Sequence, residues 1–323
     1  MGWWQVSADT LATSRFVISP LAETVACLVT LHQSTAADPA GLAWLDAHQP
    51  AYRTLLADDP VTALLVRAML RPGWIASFVT PPPAGDSDFA REVAMVRSCN
   101  PSAALDDLAE ALRGPVPDLL NRDDLPRRAA GLLDWVWQQT VLPYWPRRRR
   151  ILEADIVART TQLSQHGWAA ALNDMRPGMC WLGNGRLQIN AYDYPPRDIS
   201  GARLLFVPIT SRHGCVSWDE PHRYALIYPC SGLLADDGQA TAAPAALGAL
   251  IGPGRAAILA HLGTPKSTTQ LVALTGQGLG SVGRHLKILL AANLVRRRRA
   301  GRSVLYYRTE AGQSLIAAQR SSP

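Results

Sequence analysis

The sequence predicts an α+β protein: a mostly helical N-terminal domain with a small β-sheet, then a smaller domain of helices ending in a basic β-hairpin. Three observations carry this. Apolar residues recur at helical spacing through most of the first 180 positions. Between residues 179 and 231 the period shortens around an Asn184-Gly185 turn. From Gly252 onward eleven Lys and Arg stand against one acid, Glu310.

The length of 323 residues exceeds one typical domain. Apolar residues make up 48% and charged residues 18%, a balance that fills cores and argues against disorder. The boundary is placed at a linker rich in Ala, Asp and Gly over 233–243, giving domains 1–240 and 245–323. The net charge of +6 is asymmetric: the tail carries about +10 and the body about −4. The tail, not the body, is therefore the part that meets a polyanion. No apolar run approaches the roughly 18 residues of a membrane helix. The start, Met1-Gly2-Trp3-Trp4, lacks signal-peptide and myristoylation patterns. Five scattered cysteines without a Cys-x-x-Cys pair fit reduced thiols, so a cytoplasmic protein is expected.

In the body, Ser19-Pro20 reads as an N-cap and first helical residue. Leu21, Val25, Leu28 and Val29 follow at helical spacing. Further helices are predicted over 39–48, 60–70, 88–96, 105–112, 126–142 and 151–163, separated by Pro and Gly. The hairpin around Asn184-Gly185 and the β-like runs 203–209 and 224–228 predict the sheet. A helix or two broken at Gly252-Pro253-Gly254 spans 247–262.

The tail carries the chemistry. Ser267-Thr268-Thr269 caps a short helix, and Gly276 and Gly278 precede a longer one over 279–292. At 100° per residue, Leu286, Leu289 and Leu290 fall within about 80° of Val282, forming one apolar stripe. Ser281, Gly283, Arg284, Lys287 and Ile288 point the other way, with His285 on the border. A helix that reads a DNA groove needs such small and cationic residues toward its N-terminal half. Leu294 and Val295 open a strand that Arg296, Arg297, Arg298 and Arg299 continue. Ala300-Gly301-Arg302 turns it, and 303–307 return. Arginines with almost no acids nearby take phosphate as their partner. The plainer alternative is a solvated basic face that binds nothing.

Ser281-Val282-x-Arg284-His285-Leu286-Lys287-x-Leu289, then Asn293-Leu294-Val295, Gly301-Arg302, Tyr306 and Gly312, resembles the winged helix-turn-helix signature of ArsR-type bacterial repressors over about 70 residues. The resemblance implies a homodimer on a roughly palindromic stretch of double-stranded DNA. DNA-contacting residues are expected among Thr268, Thr269, Gln270, Ser281, Val282, Gly283, Arg284, His285, Lys287, Arg297, Arg298, Arg299 and Arg302. Where the family commonly has a serine, this chain has Gly283. The tail has no Cys, which argues against the family's metal-sensing version. The body is similar, more weakly, to the long N-terminal domain of some actinobacterial regulators. The matching residues are Arg15-Phe16-x-x-Ser19-Pro20-Leu21-x-Glu23, Leu204-Leu205-Phe206-Val207-Pro208 and Tyr228-Pro229-x-x-Gly232.

No catalytic pattern stands out, so no enzyme and no cofactor is expected. Tyr228-Pro-Cys230-Ser231-Gly232 lacks a nucleophile-elbow pattern. Gly183-Asn-Gly185 is a turn, and no phosphate-loop or dinucleotide fingerprint occurs. His213, Cys215 and His222 are a conceivable ligand set. Read plainly they are loop residues beside Trp218, and no metal is assigned. Ten tryptophans are many for this length. Trp135, Trp137, Tyr144, Trp145, Trp168 and Trp181 are candidates for lining a site for a small hydrophobic or aromatic effector. Read singly, each is core filling. The expectation is a ligand-responsive transcription regulator. The alternative keeps DNA binding and makes the body a dimerisation or protein-interaction module.

Overall fold

Helix α2 (Pro20–Gln33) shows how the sequence builds the body. The Ser19 Oγ accepts from the Ala22 N–H at 3.0 Å and Pro20 fills the first turn, as their order predicts. Eleven of its residues are buried, so it is apolar all round and central. The computed structural model describes residues 2–36, 39–85, 87–173, 175–176, 178–190, 194–230, 245–263, 266–300 and 303–317. The linker 233–243, Gly301, Arg302 and the side chains of Thr269 and Arg299 lie outside the described residues. The chain is mixed α+β with several small sheets, and no described helix is long and apolar enough to cross a membrane.

Two compact units form. One comprises Met1–Ala36, Trp44–Pro146 and Leu163–Cys230; the other Ala37–Ala43, Arg147–Gln162 and Ser231–Pro323. This differs from a single boundary near residue 240, because two earlier stretches join the C-terminal residues. Within the second unit, an Arg150 guanidinium nitrogen lies 3.0 Å from where a Cβ on Gly276 would be.

In the first unit, β1 (Trp3–Gln5), α1 (Ala8–Thr13) and β2 (Arg15–Phe16) precede α2. Then come α3 (Pro39–Asp58), α4 (Pro60–Met69), the hairpin β3 (Leu70–Arg71) and β4 (Trp74–Ile75), α5 (Phe89–Arg97), α6 (Pro101–Leu112) and α7 (Leu125–Val136). A π-helical turn, Trp137–Val141, continues α7. Such a turn displaces backbone bonding, and the Trp44 indole N–H donates to the Thr140 carbonyl there at 3.1 Å. Helix α8 (Trp145–Asn173) overruns the predicted 151–163 at both ends and is broken at Gly167 (φ 72°).

Strands β5 (Cys180–Gly183) and β6 (Arg186–Gln188) form the expected hairpin, with Asn184 (φ 51°) and Gly185 (φ 72°) both left-handed as a type I′ turn requires. Strand β1 joins β6 antiparallel and β7 (Arg197–Asp198) parallel. A second sheet has the order β2, β8 (Arg203–Ile209), β10 (Arg223–Pro229), β9 (Val216–Asp219), with β2, β8 and β10 parallel. Strand β8 is a continuous apolar run because both its faces are buried. Leu204 and Phe206 face the cluster with Trp4, Tyr224 and Tyr228, while Leu205, Val207 and Ile209 face Val17, Ala22 and Ala26.

The motif residues 15–23, 204–208 and 228–229 thus converge. Arg15 and Phe16 pair with Leu205 and Phe206, and the Thr210 N–H beyond β8 donates to the Glu23 carboxylate of α2 at 2.8 Å. The start of α2 is held by a second buried carboxylate, Glu92 of α5. It accepts from the Leu21 N–H (2.8 Å), the Ser19 hydroxyl (2.9 Å) and the Ser87 hydroxyl (2.9 Å).

In the second unit, α9 (Ala245–Ile251) and α10 (Pro253–His261) are separated at Gly252 (φ 87°). Strand β11 (Lys266–Ser267), α11 (Thr268–Thr275), α12 (Leu279–Ala291), β12 (Val295–Ala300), β13 (Ser303–Arg308) and α13 (Glu310–Ala317) follow. The sheet order is β11-β13-β12, antiparallel throughout. Val282, Leu286 and Leu289 enter a core with Leu259, Leu271, Val295 and Ile316.

Gly312 sits where α13 crosses the chain: a Cβ there would lie 2.2 Å from the Leu294 carbonyl oxygen. The obstacle is backbone and cannot swing away. Gly312→Ala is therefore expected to destabilise the second unit by about 1–3 kcal/mol, the range for overpacking. Hydrogen exchange of α10 and α12 amides checks this, and unchanged protection would contradict it.

Candidate nucleic-acid interface

Helix α12 has two faces. Val282, Leu286 and Leu289 are at most 1% exposed, whereas Gly283, Arg284, Lys287 and Ile288 are exposed. The helix ends at Asn293 in the left-handed conformation (φ 54°), which swings the chain into β12. Strand β12 buries Val295 and exposes Arg296, Arg297 and Arg298. Arg297 pairs in register with Tyr306, and both line a groove with Gly283, Leu286, Lys287 and Leu290 of α12. Arg284, Lys287, Arg296, Arg297 and Arg298 make no ion pair or side-chain hydrogen bond among the described residues. Lys287 and Arg297 line the groove, with Arg284, Arg296 and Arg298 exposed on the same two elements; such an excess of positive charge without counter-charges among the described residues attracts polyanions.

Several expected contact residues do other work. Val282 is fully buried and holds the helix to its core, so it is withdrawn as a DNA contact. His285 turns inward: its Nε2 lies 3.3 Å from Ser281 Oγ and 2.7 Å from where a Cβ on Gly254 would be. The Gln270 Oε1 accepts from the Ser267 N–H at 2.7 Å while the Ser267 Oγ accepts from the Gln270 N–H at 3.2 Å, a capping box that starts α11. Thr268 is half-buried at the first turn of that helix. Arg308, which the charge count included, donates to the Leu259 carbonyl at 2.7 Å and to the Ala260 carbonyl, closing the end of α10.

Gly283 faces open space: nothing lies within 4 Å of a Cβ placed there. Gly283→Ala is expected to stabilise α12 by up to about 1 kcal/mol through helix propensity. The same methyl thickens the exposed face. Thermal melting checks the stabilisation, and weakened folding would contradict it.

In the first unit, Trp137 is buried in the core, and Trp135, Trp145, Trp168 and Trp181 are half-buried and pack against buried clusters. Trp137 stacks on Phe89 (ring centroids 4.6 Å apart, planes at 6°) and meets the edge of Trp145 at 5.3 Å. Trp135 lies 6.4 Å from Tyr52, Trp168 stacks on Phe206 at 5.2 Å, and Trp181 packs on the same cluster. Tyr144 is exposed, edge-on to His48. A cavity of about 430 Å³ does occur in this unit, and none of the six lines it. Its wall carries other aromatics, Trp3, Trp4, Trp74, Tyr194 and Trp218. Sequence periodicity marks which aromatics are buried but not which border an empty space. No group of three His, Cys, Asp or Glu side chains placed to hold a metal ion occurs among the described residues.

No protein-family model, no curated protein and no solved structure matches the chain.

Proposed function

We propose that the chain is a DNA-binding transcriptional regulator. Its C-terminal residues act as a winged helix-turn-helix in which α12 reads a palindromic operator as part of a homodimer. Arg284 and Lys287 contact phosphates and base edges at the groove, and Arg296, Arg297 and Arg298 hold the flanking backbone. The first unit senses a small aromatic or hydrophobic ligand. The observation that carries this is the exposed face of α12 beside unpaired arginines of β12, set over a buried leucine stripe.

Affinity of the full chain for fluorescent duplex DNA between 50 and 200 mM salt tests it. Five phosphates neutralised per protomer of a dimer give a log–log slope of roughly −9. A flat dependence overturns the proposal. The second reading makes the first unit a dimerisation or interaction module without ligand. The packing of Trp137 in the core and of Trp135, Trp145, Trp168 and Trp181 against buried clusters favours this reading. A thermal-shift screen separates the two, since a ligand of the native state raises its stability.

A further inference from the structure

The cavity of the first unit has a chemistry of its own. About 430 Å³ is the size of a pocket for a small molecule. Arg71, Arg176, Arg197 and Arg212 line it, and among the described residues the one acid in its lining is Glu110. Arg71 and Arg212 make no ion pair or side-chain hydrogen bond among the described residues. Arg197 is fixed over the Trp218 ring, 4.2 Å from its centroid, and pairs with Glu220. The excess of guanidinium over carboxylate at one concave surface calls for an anion.

The other wall is aromatic. Trp74 lies 5.5 Å from Tyr194 and 6.1 Å from Trp218, the latter edge-to-face. This corner offers ring surface to a flat ligand. The Trp74 Nε1–H is shut off from solvent and has no acceptor among the described residues. His213 and Cys215 also line the cavity. Burial lowers the His213 imidazole below its ordinary value and pushes the Cys215 thiol up to about 11. Both are therefore neutral near pH 7, and Cys215 is a packing group there, not a nucleophile.

We infer that this cavity binds an aromatic carboxylate of one or two rings, with the ring in the Trp74–Tyr194–Trp218 corner and the carboxylate on Arg71 and Arg212. Guanidinium forks take carboxylates in two parallel hydrogen bonds, and the rings reward a planar body. The assignment deepens the sensing half of the proposed function and rests on it only for the consequence at DNA. Binding to the cavity stands without it.

The test is calorimetric titration of the full chain with benzoate, 1-naphthoate and indole-3-acetate. Controls are 1-naphthamide, cyclohexanecarboxylate and adenosine monophosphate. At least one aromatic acid should bind ten times or more tighter than the amide and the aliphatic acid. Arg71→Ala with Arg212→Ala should abolish that preference while leaving the melting temperature unchanged, since both arginines are exposed and unpaired. Equal binding of acid and amide, no binding of any aromatic acid at millimolar concentration, an undiminished preference in the double variant, or tighter binding of the nucleotide overturns the inference. DNA titration with and without the bound acid is a separate readout. Binding that leaves DNA affinity unchanged supports the cavity assignment and overturns only the sensing half of the function.

Discussion

Replacing Arg284 and Lys287 together with alanine should weaken binding to duplex DNA by about a hundredfold or more at 100 mM salt and flatten the salt dependence by roughly four units in a dimer. Both side chains are exposed and bridge to nothing in the described structure, so the loss appears without a change in folding. Leu286→Ala is the opposite case. Leu286 is 1% exposed in the core of the second unit, and its truncation is expected to cost about 2–5 kcal/mol of stability. Two variants within one turn of α12 thus separate reading from folding. If Arg284→Ala with Lys287→Ala keeps both the affinity and the salt slope of the parent chain, α12 does not touch DNA.

The second large effect concerns pH and the first unit. Burial pushes the Glu92 carboxyl up to about 7, against the hydrogen bonds from the Leu21 N–H, Ser87 and Ser19 that pull it down; nearby Asp88 pushes the same way as burial. The folded state therefore holds the proton more tightly than the unfolded chain, where the ordinary value is 4.5. Stability from this group is complete below the unfolded value and is lost as pH rises through about 7. The first unit should lose about 2.5 kcal/mol between pH 5 and pH 8 on this account. Glu92→Gln stays neutral across that range, and its amide matches the hydroxyl of Ser87. Its stability should stay flat where that of the parent chain falls. All ten tryptophans lie in the first unit, so tryptophan fluorescence during urea unfolding follows that unit alone. Parallel stability–pH curves for parent and variant would refute the role of Glu92.

Periodicity carried the second unit far. The stripe Val282, Leu286, Leu289 and the exposed Arg284 and Lys287 follow from 100° geometry, and the 295–308 hairpin follows from its turn and β-rich flanks. What periodicity cannot see is the use of polar atoms. His285 was on the border by angle and turned inward because Gly254 leaves it room. Gln270 and Arg308 close helix ends, an assignment that depends on which carbonyl or amide lies near. In the first unit the hairpin at Asn184-Gly185 was legible because two left-handed residues in a row need those side chains. Strands β1 and β2 were not, since two or three residues carry no period and owe their extension to distant partners, Leu187 and Leu205 among them. The cavity was illegible for the same reason: Trp3, Trp74, Tyr194 and Trp218 are far apart in the chain and meet only through the fold.

The interleaving of the two units has a consequence for cutting the molecule. Three stretches build each unit, so the chain passes from one to the other five times. One scission between residues 231 and 244 severs a single connection and leaves Arg147–Gln162 covalently held by its neighbours on either side. A fragment beginning at residue 245 would carry α12 and its arginines but start life without two pieces of its own unit. Limited proteolysis should accordingly nick this protein without releasing an intact second unit. Engineering that unit alone requires splicing the 147–162 helix onto it, not merely choosing a new N-terminus.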